Sequence, residues 1–205
     1  PDCYFNFDAQ GFDVSPKGQP SGWRAFGYYP FLGTFWPTNG STDDVMIRLP
    51  KVFMQGMDKA YDQEVYALNL SIVEALIKQK DVVIAPTDER KYGVDLNQNG
   101  RLDEANQVVF KWVKPNYDSG TGKISGFSMS YVGLAKELLA NNIYLIAPGL
   151  YPKHTEFLHS VRYIDADEEG IKMAPRMKEL RYAIKTSWIS YAHLSNVTST
   201  DIKEK

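Results

Sequence analysis

The chain has 205 residues, 43% of them hydrophobic, and a net charge of −2. That length can bury a full core, read as one domain over 1–205. The charge gives no electrostatic footprint for nucleic acid, and no apolar run reaches the roughly 20 residues that cross a bilayer. A single cysteine, Cys3, excludes an internal disulfide framework, a CxxC pair, a Cys-rich zinc site and covalent c-type haem attachment.

The chain opens at Pro1 without a signal-peptide apolar region, as a processed chain or a piece of a longer one would. Residues 1–40 mix glycines and prolines with eleven aromatic rings. Such a composition breaks regular elements while offering apolar area, so a loop-rich segment is expected whose rings pack on the body. A short strand is read from Trp23, and rings of this kind could also stack a sugar. Residues 37–44 form a polar turn cluster, and Val45-Met46-Ile47-Arg48-Leu49 is strand-like, stopped by Pro50. From Tyr61 to Lys80 the stripe Val65, Leu68, Ile72 and Leu76 predicts an amphipathic helix. Val82-Val83-Ile84-Ala85 then reads as a short buried strand ended by Pro86.

Residues 95–106 (DLNQNGRLDEAN) are the most specific stretch. A calcium loop of the EF-hand type places side-chain oxygens at positions 1, 3 and 5, glycine at 6, a main-chain carbonyl at 7 and a further ligand at 9. Asp95, Asn97, Asn99, Gly100, Arg101 and Asp103 fill those places in order, and Leu102 is expected to anchor the loop on the core. The bidentate glutamate of position 12 is replaced by Asn106. Glu104, Asp88 or Glu89 is the candidate to complete the shell, and fewer carboxylates mean weaker binding. A structural Ca2+ of this kind suits an extracytoplasmic setting, either periplasmic or secreted.

Residues 107–113 read as a strand and 114–126 as an exposed loop. Ser130 is expected to cap a helix that closes at Asn141-Asn142, and Ile143 to Ala147 is strand-like. Residues 157–164 form a strand or helix before the acidic turn 165–170, which has ligand types but no calcium-loop spacing. The stripe Met177, Leu180, Ile184, Trp188 and Tyr191 predicts a last helix from Met173 to His193 with a basic outer face. The residues 196–205 are expected to be a loose tail, and Asn196-Val197-Thr198 fits a glycosylation acceptor. The fold class read from these elements is α+β, or mixed α/β, with three amphipathic helices and a small sheet.

His154, His159 and His193 are the only histidines, and none has a zinc-site spacing. A serine-hydrolase elbow, a P-loop and a dinucleotide fingerprint are also missing, so the sequence holds no catalytic signature. At residues 37–50 (PTNGSTDDVMIRLP), 155–163 (TEFLHSVRY) and 176–182 (RMKELRY) the chain resembles bacterial extracytoplasmic proteins related to c-type cytochromes. That resemblance implies an accessory subunit of an electron-transfer assembly, partnered by other protein subunits such as c-type cytochromes. Without a CxxCH motif, haem would come from a partner or a missing segment, with His159 or His193 as an axial ligand. The competing expectation is a secreted enzyme or glycan-binding module built on the aromatic segment.

Overall fold

The computed structural model describes residues 5–25, 41–168 and 170–189. Cys3, residues 26–40 of the aromatic segment, His193, the glycosylation acceptor and the 196–205 tail lie outside the described residues. In chain order the described elements are β1 (Phe12–Val14), β2 (Pro20–Ala25), β3 (Ser41–Arg48), α1 (Gln63–Lys78), β4 (Val82–Asp88), β5 (Glu104–Val108), β6 (Asn116–Tyr117), β7 (Ile124–Ser125), α2 (Leu134–Ala140), β8 (Glu156–Asp167) and β9 (Gly170–Ile184). They fall into two compact units, Pro1–Met54 with Thr155–Ile184, and Gln55–His154 with Lys185–Lys205.

The first unit is a five-stranded antiparallel sheet in the order β1-β2-β3-β8-β9. β3 runs beside β8 from Arg48↔Glu156 to Ser41↔Tyr163, and β8 folds back on β9 in a long hairpin that closes at Asp167↔Gly170. One row of side chains ties four strands together. The Arg48 guanidinium stacks over the Trp23 ring at 4.5 Å and grips Glu156 with two hydrogen bonds, Nε to Oε1 at 3.2 Å and Nη2 to Oε2 at 2.5 Å. Tyr182 on β9 donates to the same Oε2 at 2.9 Å. This planar fork fixes the register as well as the charge.

The fold class differs from the expectation. Among the described residues there are two helices and a sheet-rich body, not three amphipathic helices with a small sheet. The expected helix over 173–193 is β9 through Ile184. Its apolar residues fit a helical stripe, but Leu180, Tyr182 and Ile184 also recur every second residue, and β8 offers a full ladder of backbone partners. All three are exposed, where a helical stripe would have buried them. Pro175 falls where the β8–β9 pairing is irregular, between Arg162↔Met177 and Ile164↔Met173, on the edge strand of the described sheet.

The second unit is built around α1. Asp62 caps it, its Oδ1 accepting from the amides of Glu64 (2.9 Å) and Val65 (3.1 Å), and Gln79 ends it in the left-handed region at φ 52°. The expected stripe is buried, with Val65, Leu68, Ile72 and Leu76 at 5% exposure or less. Asn69 lies within that face and is satisfied at both ends by Val132, donating to its carbonyl (3.1 Å) and accepting from its amide (2.9 Å). Burying an amide side chain this way avoids the desolvation cost of an unmade bond.

Other local expectations shift. Ser130 does not cap α2; its hydroxyl donates to the Tyr131 carbonyl, and the helix starts after Gly133. Residues 143–147 form no strand, and Ile143 is exposed. β4 runs past Pro86 to Asp88, its pairing with β5 slipping between Val83 and Thr87, and Val83 is 85% exposed rather than buried. Proline cannot donate, so the ladder is broken where it sits. β5 starts at Glu104 and stops at Val108, so residues 109–113 follow it rather than form it. No helix among the described residues is long and apolar enough to cross a membrane.

Gly133 is the tightest joint of this unit. It holds φ 63° and ψ −146°, and a Cβ there would stand 2.4 Å from the Gln55 carbonyl oxygen and 2.7 Å from Val65 Cγ1. Gly133→Ala is therefore expected to destabilise the protein by about 2–4 kcal/mol, combining strain in a region L-residues avoid with a backbone clash. Urea unfolding of the two proteins, compared by midpoint at equal slope, measures it.

Candidate cation-binding loop

β4 and β5 are joined by residues 89–103, and their pairing ends at Asp88↔Glu104. The loop opens with a single 3-10 turn, Glu89–Lys91, capped by Asp88, whose Oδ1 accepts from the Arg90 amide at 3.0 Å. The Arg90 guanidinium also clasps both Asp88 oxygens, at 2.7 and 3.0 Å. These hydrogen bonds from Arg90 hold the Asp88 carboxyl below its ordinary range.

Glu89 is completely buried, and its carboxylate faces the underside of the loop. Oε1 accepts from the amides of Leu96 (2.6 Å) and Asn97 (3.1 Å), and Oε2 accepts from the amide of Asp103 (3.1 Å). Its backbone N–H reaches the Asp103 carbonyl at 2.9 Å, so both ends of the 95–103 bend are tied to one residue. A buried carboxylate with three amide donors is satisfied where a bare one would cost several kcal/mol.

Above this anchor the expected ligand residues curl round the turn. Asp95 accepts from the Asn99 amide (3.1 Å) with Oδ1 and from the Gly100 amide (2.8 Å) with Oδ2. Asn97 Oδ1 accepts from the Asn99 amide (3.1 Å), and Asn99 Oδ1 accepts from the Arg101 amide (2.8 Å). The Asn99 side-chain amide donates to Asp103 Oδ1 at 3.1 Å. Gln98 and Gly100 take positive φ, 57° and 85°, which bends the backbone sharply at the centre. Gln98 is held there by its side-chain amide, which donates to the Ser128 carbonyl at 2.8 Å.

The structure brings Asp95, Asn97, Asn99 and Asp103 into one hydrogen-bonded cluster, with Arg101 contributing backbone. It does not add Glu104, an exposed residue of β5 opposite Asp88, nor Asn106 further along that strand. Asp88 and Glu89, the other candidates to complete a shell, are spent on Arg90 and on the loop's own amides. Leu102 is not the core anchor: it is 44% exposed, and Leu96, at 3%, takes that place. The loop is flanked by paired strands and not by helices, so it is not an EF-hand motif. Among the described residues no three His, Cys, Asp or Glu side chains converge as a metal cage, and the oxygens gathered here are half from amides.

The 3-10 turn also forms one wall of a cleft of about 580 Å³ lined by Asp58, Asp62, Lys91, Tyr92 and Lys136 among others. Lys136 donates to the carbonyls of Tyr92 (3.1 Å) and Gly93 (2.8 Å), and Lys91 pairs with Glu64 at 2.5 Å. That hydrogen bond, with the lysine's charge behind it, holds the Glu64 carboxyl below its ordinary range and the Lys91 ammonium above its own. No local pattern marks these residues, because Glu64 and Lys91 meet across 27 positions of chain.

His159 sits on β8 between Val45 and Arg181, and His154 lies in the second unit. In the described part of the aromatic segment, Phe5 stacks on Phe7 at 5.3 Å and meets Trp23 edge-on at 6.5 Å, while Arg48 covers the Trp23 ring. Trp23 is thus 9% exposed, a packed ring and not an open platform.

Two outcomes follow. Glu89→Ala leaves three loop amides, one buried and two half-buried, without an acceptor and is expected to cost about 3 kcal/mol, read from denaturation midpoints. Because Glu64 is depressed in the folded state, its ion pair contributes above pH 4.5 and fades as the pH falls through the lower folded value. An NMR titration of the Glu64 carboxyl should give a midpoint below 4.5 that returns to the ordinary range in Lys91→Met.

The model of a lipoprotein family matches residues 6–202. An uncharacterized lipoprotein of Aquifex aeolicus (strain VF5) is 29% identical over 207 residues, an alignment covering 98% of this chain and 28% of that protein. The chain thus spans less than a third of the length of that relative. No solved structure matches. These matches overturn the cytochrome resemblance. Its three segments, 37–50, 155–163 and 176–182, fall largely on β3, β8 and β9 and carry no haem motif. Lipoprotein kinship accords with an extracytoplasmic location. With a match over almost its whole length, the chain belongs to this lipoprotein family.

Proposed function

We propose that the chain is an extracytoplasmic lipoprotein module, periplasmic or surface-facing, whose second unit is stiffened by one Ca2+ held in the 95–103 loop. The observation behind this reading is the gathering of Asp95, Asn97, Asn99 and Asp103 oxygens round the Gly100 bend. Hard oxygens at alternate positions, with the Arg101 carbonyl between them, form a donor set that suits calcium and offers nothing to softer metals. Waters would complete the shell, since no bidentate carboxylate is at hand.

Two carboxylates and two amides are a weak set, so the affinity falls in the extracellular class, with Kd on the order of 10⁻⁴–10⁻³ M. Such a site is empty at cytoplasmic calcium and filled outside, which fits the family. The ion serves the fold and not a reaction: it would lock the β4–β5 connection, and through Lys136 the adjoining cleft wall, in an accessory part of a larger lipoprotein.

Binding at that affinity stabilises the folded state by about 1.4–2.7 kcal/mol at 10 mM Ca2+. Melting followed by circular dichroism should therefore rise by several degrees between EDTA and 10 mM CaCl2, and Asp95→Asn with Asp103→Asn should abolish the rise. An unchanged melting temperature in the parent protein, with no calcium found by calorimetry, would refute the reading.

A further inference from the structure

We infer that the cleft of the second unit is a binding site for a short peptide with free ends, an ammonium and a carboxylate carried on an apolar body. Three pieces of chain surround it. One is the 55–61 turn, closed by the bridge Gln55↔Tyr61, and the others are α2 and the 3-10 turn Glu89–Lys91 with Tyr92 behind it. The Leu134 amide at the start of α2 donates to the Gln55 carbonyl at 3.0 Å, which fixes two of these walls to each other. Lys136 of α2 reaches the third through the Tyr92 and Gly93 carbonyls, so the cleft of about 580 Å³ is formed before any ligand arrives.

Its charged groups are sorted by chain segment and keep hydrogen-bonding capacity. Asp58 and Asp62 come from the turn and the cap of α1. The hydrogen bonds described for them use Oδ1, which accepts from the Ala60 amide (3.0 Å) in one and from those of Glu64 and Val65 in the other. Oδ2 of each can therefore receive an ammonium. Lys136 has three N–H donors and gives two of them to carbonyls. Neutral carbonyls orient that ammonium without cancelling its charge, and the third N–H can hold a carboxylate. Lys91, by contrast, is already paired with Glu64. Glu137, exposed on α2, adds a third acid to the lining, so the ammonium end is the better held of the two. Apolar surface comes from Val65, the half-buried Tyr92 ring and Met57, which is 65% exposed and gains cover from a ligand. A dipeptide, at about 3.3–3.6 Å per residue, separates its end charges enough to meet both sets of groups, whereas a free amino acid carries them on one carbon.

NMR titrations with leucyl-leucine, its N-acetyl form and its C-terminal amide separate the contributions of the two charges. Leucyl-leucine should give saturable shifts at the amides of Gly56, Tyr92 and Gly133. Acetylation should weaken binding by about 10-fold or more, and amidation by less. Two variants assign the ends. The double variant Asp58→Asn, Asp62→Asn keeps both Oδ1 acceptors and a good capping residue, and should bind the unblocked and acetylated peptides nearly alike. Lys136→Met should bind the unblocked and amidated peptides nearly alike. A variant that merely loosens the fold weakens all three peptides together and leaves their ratios as in the parent, and unchanged ratios would overturn the assignment. So would the absence of saturable shifts with leucyl-leucine, or leucine itself binding as tightly as the dipeptide.

Discussion

The second unit depends on a carboxylate that water does not reach. An anion buried without partners would cost more than a small domain can spare, and it becomes tolerable only when the protein supplies the donors that water would have offered. Glu89 receives them from the backbone of its own following loop, so the loop cannot open without stranding a charge. That single constraint explains why a bend rich in Asn, Gly and Asp holds a defined shape. The side chains of Asp95, Asn97 and Asn99 then satisfy the amides at the top of the turn, and Gln98 moors it to the Ser128 carbonyl. The oxygens of such a loop are already ordered, and the entropy of arranging them has been met by folding.

The first unit answers a different problem. Arg48 and Glu156 lie 108 residues apart, yet they face each other across neighbouring strands. Joining distant strands demands a pairing specific enough to exclude slipped registers, because a one-residue slip would turn every side chain to the wrong face. The row Trp23, Arg48, Glu156 and Tyr182 supplies that specificity, with a stacked cation, a two-point ion pair and a hydroxyl all using one partner's geometry. A partly exposed ion pair adds little stability by itself, so its value here is chiefly in register.

Membership of a lipoprotein family, from a match along residues 6–202, accords with work outside the cytoplasm. The cytochrome-like segments failed as a guide because short strand-forming stretches recur in many folds, and without a haem-attachment motif they say nothing about a cofactor.

From its residues alone the chain determined α1, capped by Asp62 and buried along Val65, Leu68, Ile72 and Leu76, because helix periodicity and capping are local properties. It also determined the bend at Gly100 and the donor types around it. Tertiary structure decided the rest. Residues 173–184 satisfy both a helical and a strand-like pattern, and only the backbone of β8 beside them selected the strand. Likewise nothing in the adjacent acids Asp88 and Glu89 says which turns outward to Arg90 and which inward to become the loop's anchor. That choice belongs to burial and long-range hydrogen bonding, which no window of sequence contains.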